Sequence, residues 1–172
     1  MTEPTRARFD ELMAGLDPPM AVVTVASSTG RAGCLVGFHS QCGIVPPVYA
    51  VWLSKANRTY EVAATAEWIA VHFLGPDDKS IAELFGAETG DDIDKFARCS
   101  WTEGEGGVPL LDGCPTRLVG RRRALIDPGT DHAALLVDVI RVTGTPPESL
   151  LHLEQVADLA AGHPPSDPRP QD

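Results

Sequence analysis

The sequence predicts a mainly β protein, an antiparallel, Greek-key-like barrel with a few short flanking helices. Three observations carry that prediction. First, short runs rich in β-branched residues follow one another along the chain, among them MAVVTVASS, GCLVGFHS, VYAVWLS, WIAVHFL, TRLVGRRRALID and HAALLVDVIRV. Second, 16 glycines and 15 prolines supply the turns that so many short strands need. Third, the intervening helical stretches lack βαβ regularity and no GxGxxG follows the first strand, which argues against a doubly wound nucleotide-binding sheet.

In chain order, Phe9, Leu12, Met13 and Leu16 recur at helical spacing, so residues 5–16 should form a short amphipathic helix ended by Gly15 and the Asp17-Pro18-Pro19 breaker. The run from Met20 and the run from Gly33 flank the turn Ser28-Thr29-Gly30-Arg31 and read as a hairpin. After the break at 43–47, VYAVWLS should be a central strand whose end delivers Ser54 and Lys55. Asn57 can cap a helix from Arg58 to about Ala66, because its side-chain oxygen can accept a backbone N–H of the first turn. WIAVHFL is the next strand, DDKSIAELFG a helix with Ile81, Leu84 and Phe85 on one face, and DDIDKFAR a second short helix. Asp127-Pro128-Gly129-Thr130 turns the last two runs into a long closing hairpin. Beyond Thr145, PESLLHLEQVADLAAG can form an amphipathic helix that packs on a partner, and the proline-rich end should be disordered. The expected organisation is one domain over 1–145, including the helix 5–16, and a tail over 146–172.

The charge balance excludes several classes of function. A formal net charge of −10 leaves no broad electrostatic footprint for nucleic acid or an anionic membrane, so an anionic ligand has to meet a local basic pocket. Cys34, Cys42, Cys99 and Cys114 form no CxxC pair and have no zinc-knuckle spacing, so no metal is expected. The acid-containing N-terminus lacks the apolar core of a signal peptide, and no run approaches the ~20 apolar residues that span a bilayer. A cytoplasmic protein with reduced thiols is the expectation.

The most informative stretch is GCLVGFHSQCGIVPPVYAVWLSKANRT, which has a glycine-led strand, a Pro-Pro pair, a second strand and a polar loop ending in Thr. With Gly33, Ser40, Pro46, Pro47, Ser54 and Thr59 in that frame, the chain resembles the flavin reductase-like family, whose fold is an FMN-binding split β-barrel. WIAVHFL, KSIAELF, Val108-Pro109-Leu110-Leu111 and Asp131-His132 follow in the order that the family shows, the last pair where relatives carry Gly-Asp-His. The resemblance covers residues 18–142. It implies FMN or FAD as flavin, NADH or NADPH as hydride donor, a homodimer, and service to a flavin-dependent monooxygenase.

Lys55, Asn57, Arg58 and Thr59 make the physical case for a phosphate site, since two cations, a hydroxyl and the free N–H groups of a helix start can converge on one anion. Taken without the resemblance, the same residues also describe an N-capped surface helix with solvated charges. The resemblance adds Ser54 to that loop and assigns Leu35, Gly37, Phe38, His39 and Ser40 to the flavin-facing strand. Many relatives have Thr, Ser and Ser where this chain has Leu35, Gly37 and Phe38, so ring recognition would fall to backbone groups. Gly37 either lets the main chain approach a flat ring or marks a bulge. His132 matches the family histidine that faces the stacked nicotinamide and flavin and is the candidate catalytic residue, while His39 and His72 are candidates for flanking the pocket. A histidine beside an apolar strand is nonetheless most often structural. Arg121, Arg122 and Arg123 read as a solvated edge or an interface, and Trp52, Trp68 and Trp101 as core or interface.

The expected activity is NAD(P)H-dependent reduction of FMN or FAD. The alternatives are an FMN-binding flavoprotein with another redox substrate, a non-catalytic flavin carrier, and a split-barrel module that binds no flavin.

Overall fold

The computed structural model describes residues 2–90, 93–159 and 162. Among the described residues nine strands form, β1 (Ala21–Ser27), β2 (Gly30–Val36), β3 (His39–Gly43), β4 (Val48–Ser54), β5 (Trp68–Phe73), β6 (Trp101–Glu103), β7 (Pro109–Leu111), β8 (Arg117–Ile126) and β9 (His132–Thr143). Seven of them make one antiparallel sheet in the order β2-β1-β5-β8-β9-β4-β3, and β6 pairs with β7 in a separate two-stranded sheet. The large sheet curls until its β2 edge approaches β4, which leaves a seam between the two ends of the half-barrel. This is the mainly β, antiparallel barrel that the sequence predicts.

Alternation along β1 explains why MAVVTV is almost continuously apolar. Ala21, Val23 and Val25 enter the core inside the barrel with Val51, Leu53 and Ile69. Met20 and Val22 enter a second core with Leu74, Phe85 and Leu111 on the other face. A strand buried on both faces has no polar side to show. The predicted hairpin forms by pairing Ala21 with Val36 through Ser27 with Gly30, and the closing hairpin of β8 and β9 turns at 127–131.

Three α-helices form among the described residues, α1 (Glu3–Leu16), α2 (Arg58–Ala63) and α3 (Lys79–Gly86). α2 is shorter than predicted, but its cap is the expected one, with the Thr59 N–H donating to Asn57 Oδ1 at 3.0 Å. The segment predicted as a second short helix holds a 3-10 turn at Lys95–Arg98 instead, capped by Asp94, with Asp91 and Asp92 outside the described residues.

The region after Thr145 departs most from expectation, because the predicted amphipathic helix over 147–162 is a single 3-10 turn, Leu153–Val156, among the described residues. Backbone pairing is the reason. Leu151 N–H donates to Leu74 O, Met20 N–H donates to Leu151 O, and His152 bridges Pro19, so the chain is held extended until 152. Leu151 and Val156 are buried in the second core, so this segment packs on its own domain. The predicted disordered end lies outside the described residues, apart from Gly162.

Candidate functional site

At the seam, a crevice of about 240 Å3 is lined by Leu35 of β2, Gly37 and Phe38 from the bend into β3, Trp52 and Ser54 of β4, and His132 of β9. Met20, Asn57 and Leu153 complete its walls, and none of its described lining residues is Lys, Arg, Asp or Glu. Strand order brings these positions together. β2 and β4 face each other across the seam, and Ser54 is the register partner of His132. Because β2 is an edge strand, alternate N–H and C=O groups of its backbone point outward without a ladder partner. Such groups can hydrogen-bond a polar heterocycle where the side chains are apolar.

Phe38 is 59% exposed and stands at the mouth, its ring centroid 5.4 Å from that of His132 at a 58° tilt. His132 Nδ1 lies 3.1 Å from Asp131 Oδ1, which fixes the orientation of the ring. The Lys55 N–H donates to Asp131 O at 2.9 Å and so ties the loop after β4 to the turn that carries His132. Trp52 sits on this wall, where the sequence pointed to core or interface. Its signal was available, because two-residue periodicity puts Trp52 and Ser54 on the same face of β4.

The polar loop splits its side chains. Thr59 is 1% exposed, and its Oγ1 is buried with no hydrogen-bond partner among the described residues. The Cys34 thiol is its near neighbour, but a thiol is a weak partner, and burial pushes this one up to about 11 while Thr59 and Lys95 pull it back only in part. A buried hydroxyl without a partner is costly and is the feature that a bound anion would relieve. Arg58 reaches from the loop toward Gly30, with its stem beside Gly90. Lys55 turns elsewhere, to an ion pair with Asp127 Oδ1 at 2.5 Å, so the expected convergence of both cations on one anion does not occur. Asp127 is held below the usual carboxylate range by Lys55 and by the Gly129 N–H.

Three other predicted positions lie off the crevice. His72 is 0% exposed between the strands, its Nδ1–H donating to Val22 O at 3.2 Å and its Nε2 accepting the Leu111 N–H at 3.1 Å. It is therefore not among the lining residues of the crevice. It is a neutral core residue that locks β7 onto β1 and β5, and burial drives its pKa down to about 3. His39 is not a lining residue of the crevice either, and its Nε2–H donates to Pro19 O at 2.8 Å while its Nδ1 accepts from Tyr49 Oη at 2.7 Å. It packs between Tyr49 and Phe73, and burial lowers its pKa despite the opposing pull of the Pro19 carbonyl. Ser40 is exposed on β3 opposite Ala50 and does not line the crevice. The arginine run is engaged within the chain, Arg121 with Glu67, Arg122 with Ala66 O and Arg123 with Asp138.

Residues 13–158 match the family model described as "Flavin reductase like domain". The chain belongs to that family. It is 25% identical over 156 residues to an FMN reductase (NADH) RutF of Enterobacter cloacae, covering 90% of this chain and 94% of the relative. It is 28% identical over 141 residues to the 4-hydroxyphenylacetate 3-monooxygenase reductase component of Pseudomonas aeruginosa, covering 80% of this chain and 81% of that one. The NADH:FAD oxidoreductase SgcE6 of Streptomyces globisporus C-1027 superposes with a TM-score of 0.75 at 22% identity, over 88% of this chain and 89% of that chain, which is a likeness of fold.

Proposed function

We propose that this chain is an NADH-dependent flavin reductase that takes FMN or FAD at the seam crevice. The observation that carries the reading is the pairing of an apolar, ring-sized crevice with the unsatisfied Thr59 Oγ1 at the end of the same loop. Relatives named FMN reductase (NADH) and a relative named as a monooxygenase reductase component support the reaction class.

The flavin supplies the redox chemistry when bound, accepting a hydride from NADH. Leu35, Phe38 and Trp52 exclude water from the ring, and the outward backbone groups of β2 hold its polar edge. Asn57, Arg58 and Thr59 hold the phosphate, with Ser54 at the junction between ring and side chain. His132, steadied by Asp131, stands where a second ring would stack and orients the nicotinamide. Such a site works by alignment, which is why no triad or carboxylate pair is needed.

The same reading makes the chain a homodimer in the cytoplasm that delivers reduced flavin to a monooxygenase. Support for the dimer comes from Phe9, Leu12 and Leu16, exposed along one face of α1, since a helix of that length is marginal without packing. All four cysteines are free thiols, and no described helix is long and apolar enough to cross a membrane. The deciding assay follows NADH oxidation with and without added FMN, FAD or riboflavin. Turnover that depends on added flavin supports the reductase, whereas bound FMN without turnover would make the protein a carrier.

A further inference from the structure

The turn that carries His132 has little packing to hold it, because residues 127–130 are exposed. Its position therefore depends on hydrogen bonds and charge. Some of these are internal, since the Gly129 N–H donates to Asp127 Oδ1 at 2.8 Å and the Thr130 hydroxyl donates to His132 O at 3.0 Å. Such bonds fix the shape of the turn but not its place on the barrel. The ties to the barrel come from one residue of the loop after β4. The Lys55 N–H donates to Asp131 O at 2.9 Å, and the Lys55 ammonium pairs with Asp127 Oδ1 at 2.5 Å, so both ends of the turn are held.

What the turn delivers is the orientation of a ring. Asp131 closes it, with Oδ1 lying 3.1 Å from His132 Nδ1, and a shift of Asp131 would turn the imidazole that borders the crevice. Lys55 itself is not a lining residue of the crevice, whereas Ser54 before it and Asn57 after it both are. Its charge is thus directed at the turn.

We propose that Lys55 is a positioning residue for flavin reduction, which clamps the turn through Asp127 and so holds Asp131 and the His132 ring in place beside the nicotinamide. The proposal rests on the crevice being the flavin site and on His132 orienting the second ring. It separates turnover from affinity, because the clamp acts on His132 and leaves the phosphate to Asn57, Arg58 and Thr59.

The experiment measures NADH oxidation, and FMN and riboflavin binding by flavin fluorescence, on Lys55→Met, Asp127→Asn, His132→Ala and the double variant Lys55→Met with His132→Ala. Asp127→Asn removes the charge but keeps an oxygen for the Gly129 N–H, so the turn retains its shape. Each change at 55 or 127 should lower kcat about threefold while FMN affinity stays within about twofold. In the His132→Ala background, Lys55→Met should lower kcat no further, a non-additivity that a general effect on the fold would not produce. Parent-like kcat in both single variants would overturn the proposal, and so would an equal fall in the His132→Ala background. A loss of FMN affinity larger than that of riboflavin on Lys55→Met would overturn it too, by returning Lys55 to the phosphate. Parent-like kcat in His132→Ala, or failure of the unmodified protein to bind flavin, would instead remove the reading on which the proposal stands.

Discussion

His72 and His132 lie on strands of one sheet, yet they live under opposite constraints. His72 on β5 has both ring nitrogens spent on backbone groups and no exposure to solvent. His132 at the start of β9 borders the crevice, and its Nε2 makes no hydrogen bond among the described residues. A histidine's role here follows from what its nitrogens already hold. One is part of the scaffold and the other is available for a ligand.

The strongest response should follow loss of the scaffold member. His72→Ala leaves the Leu111 N–H without a partner inside the core and opens a cavity, so chemical denaturation should show a loss of about 2–4 kcal/mol. A loss below about 1 kcal/mol would mean that the β7 contact is dispensable.

The same residue sets a pH dependence. Its pKa is about 3 in the folded chain and near 6.5 when unfolded, so the unfolded state binds the proton more readily between those values. Stability should be full above roughly pH 6.5 and fall as pH drops toward 3, with His39 adding in the same direction. Thermal melts of His72→Gln against the unmodified protein test this, because the variant should lose much of the slope in that window.

The crevice member should respond in the opposite way. His132→Ala should change stability by less than about 0.5 kcal/mol and lower kcat for NADH-driven flavin reduction by about tenfold or more, with KM for flavin moving less. A variant as active as the parent would remove His132 from the reaction.

Smaller effects bear on the phosphate loop. Thr59→Val deletes a buried hydroxyl that has no partner, so the ligand-free protein should be as stable as before or more so, while FMN binding falls about tenfold. Lys55→Ala should shift FMN affinity by less than about twofold, because Lys55 is already held by Asp127.

Much of this was legible in the sequence. β-branched runs and turn residues located the strands of the large sheet except β3, which the sequence ran together with β2 across the bend at Gly37 and Phe38, and Asn57 announced its own cap. The family frame also placed Leu35, Gly37, Phe38, Ser54, Asn57 and His132 near one site. What stayed hidden depended on non-local pairing. The partners of His39 and His72 come from Pro19, Val22 and Leu111, at distances in sequence that no periodicity reports. Lys55 has an acidic partner 72 residues away, so its charge is spent where the local pattern offers it to a ligand. The segment 147–159 has helical periodicity, but its pairing with Pro19, Met20 and Leu74 outweighs it. The β6–β7 hairpin was invisible for the opposite reason, its strands being three residues each among glycines.

If one loop and one seam divide a flavin between them, a crystal structure of the protein soaked with FMN will show it. The ring should lie against Leu35, Gly37, Phe38 and Trp52, with a phosphate oxygen within hydrogen-bonding reach of Thr59 Oγ1. Density for FMN at any other place, with Thr59 Oγ1 still unpartnered, would contradict that division.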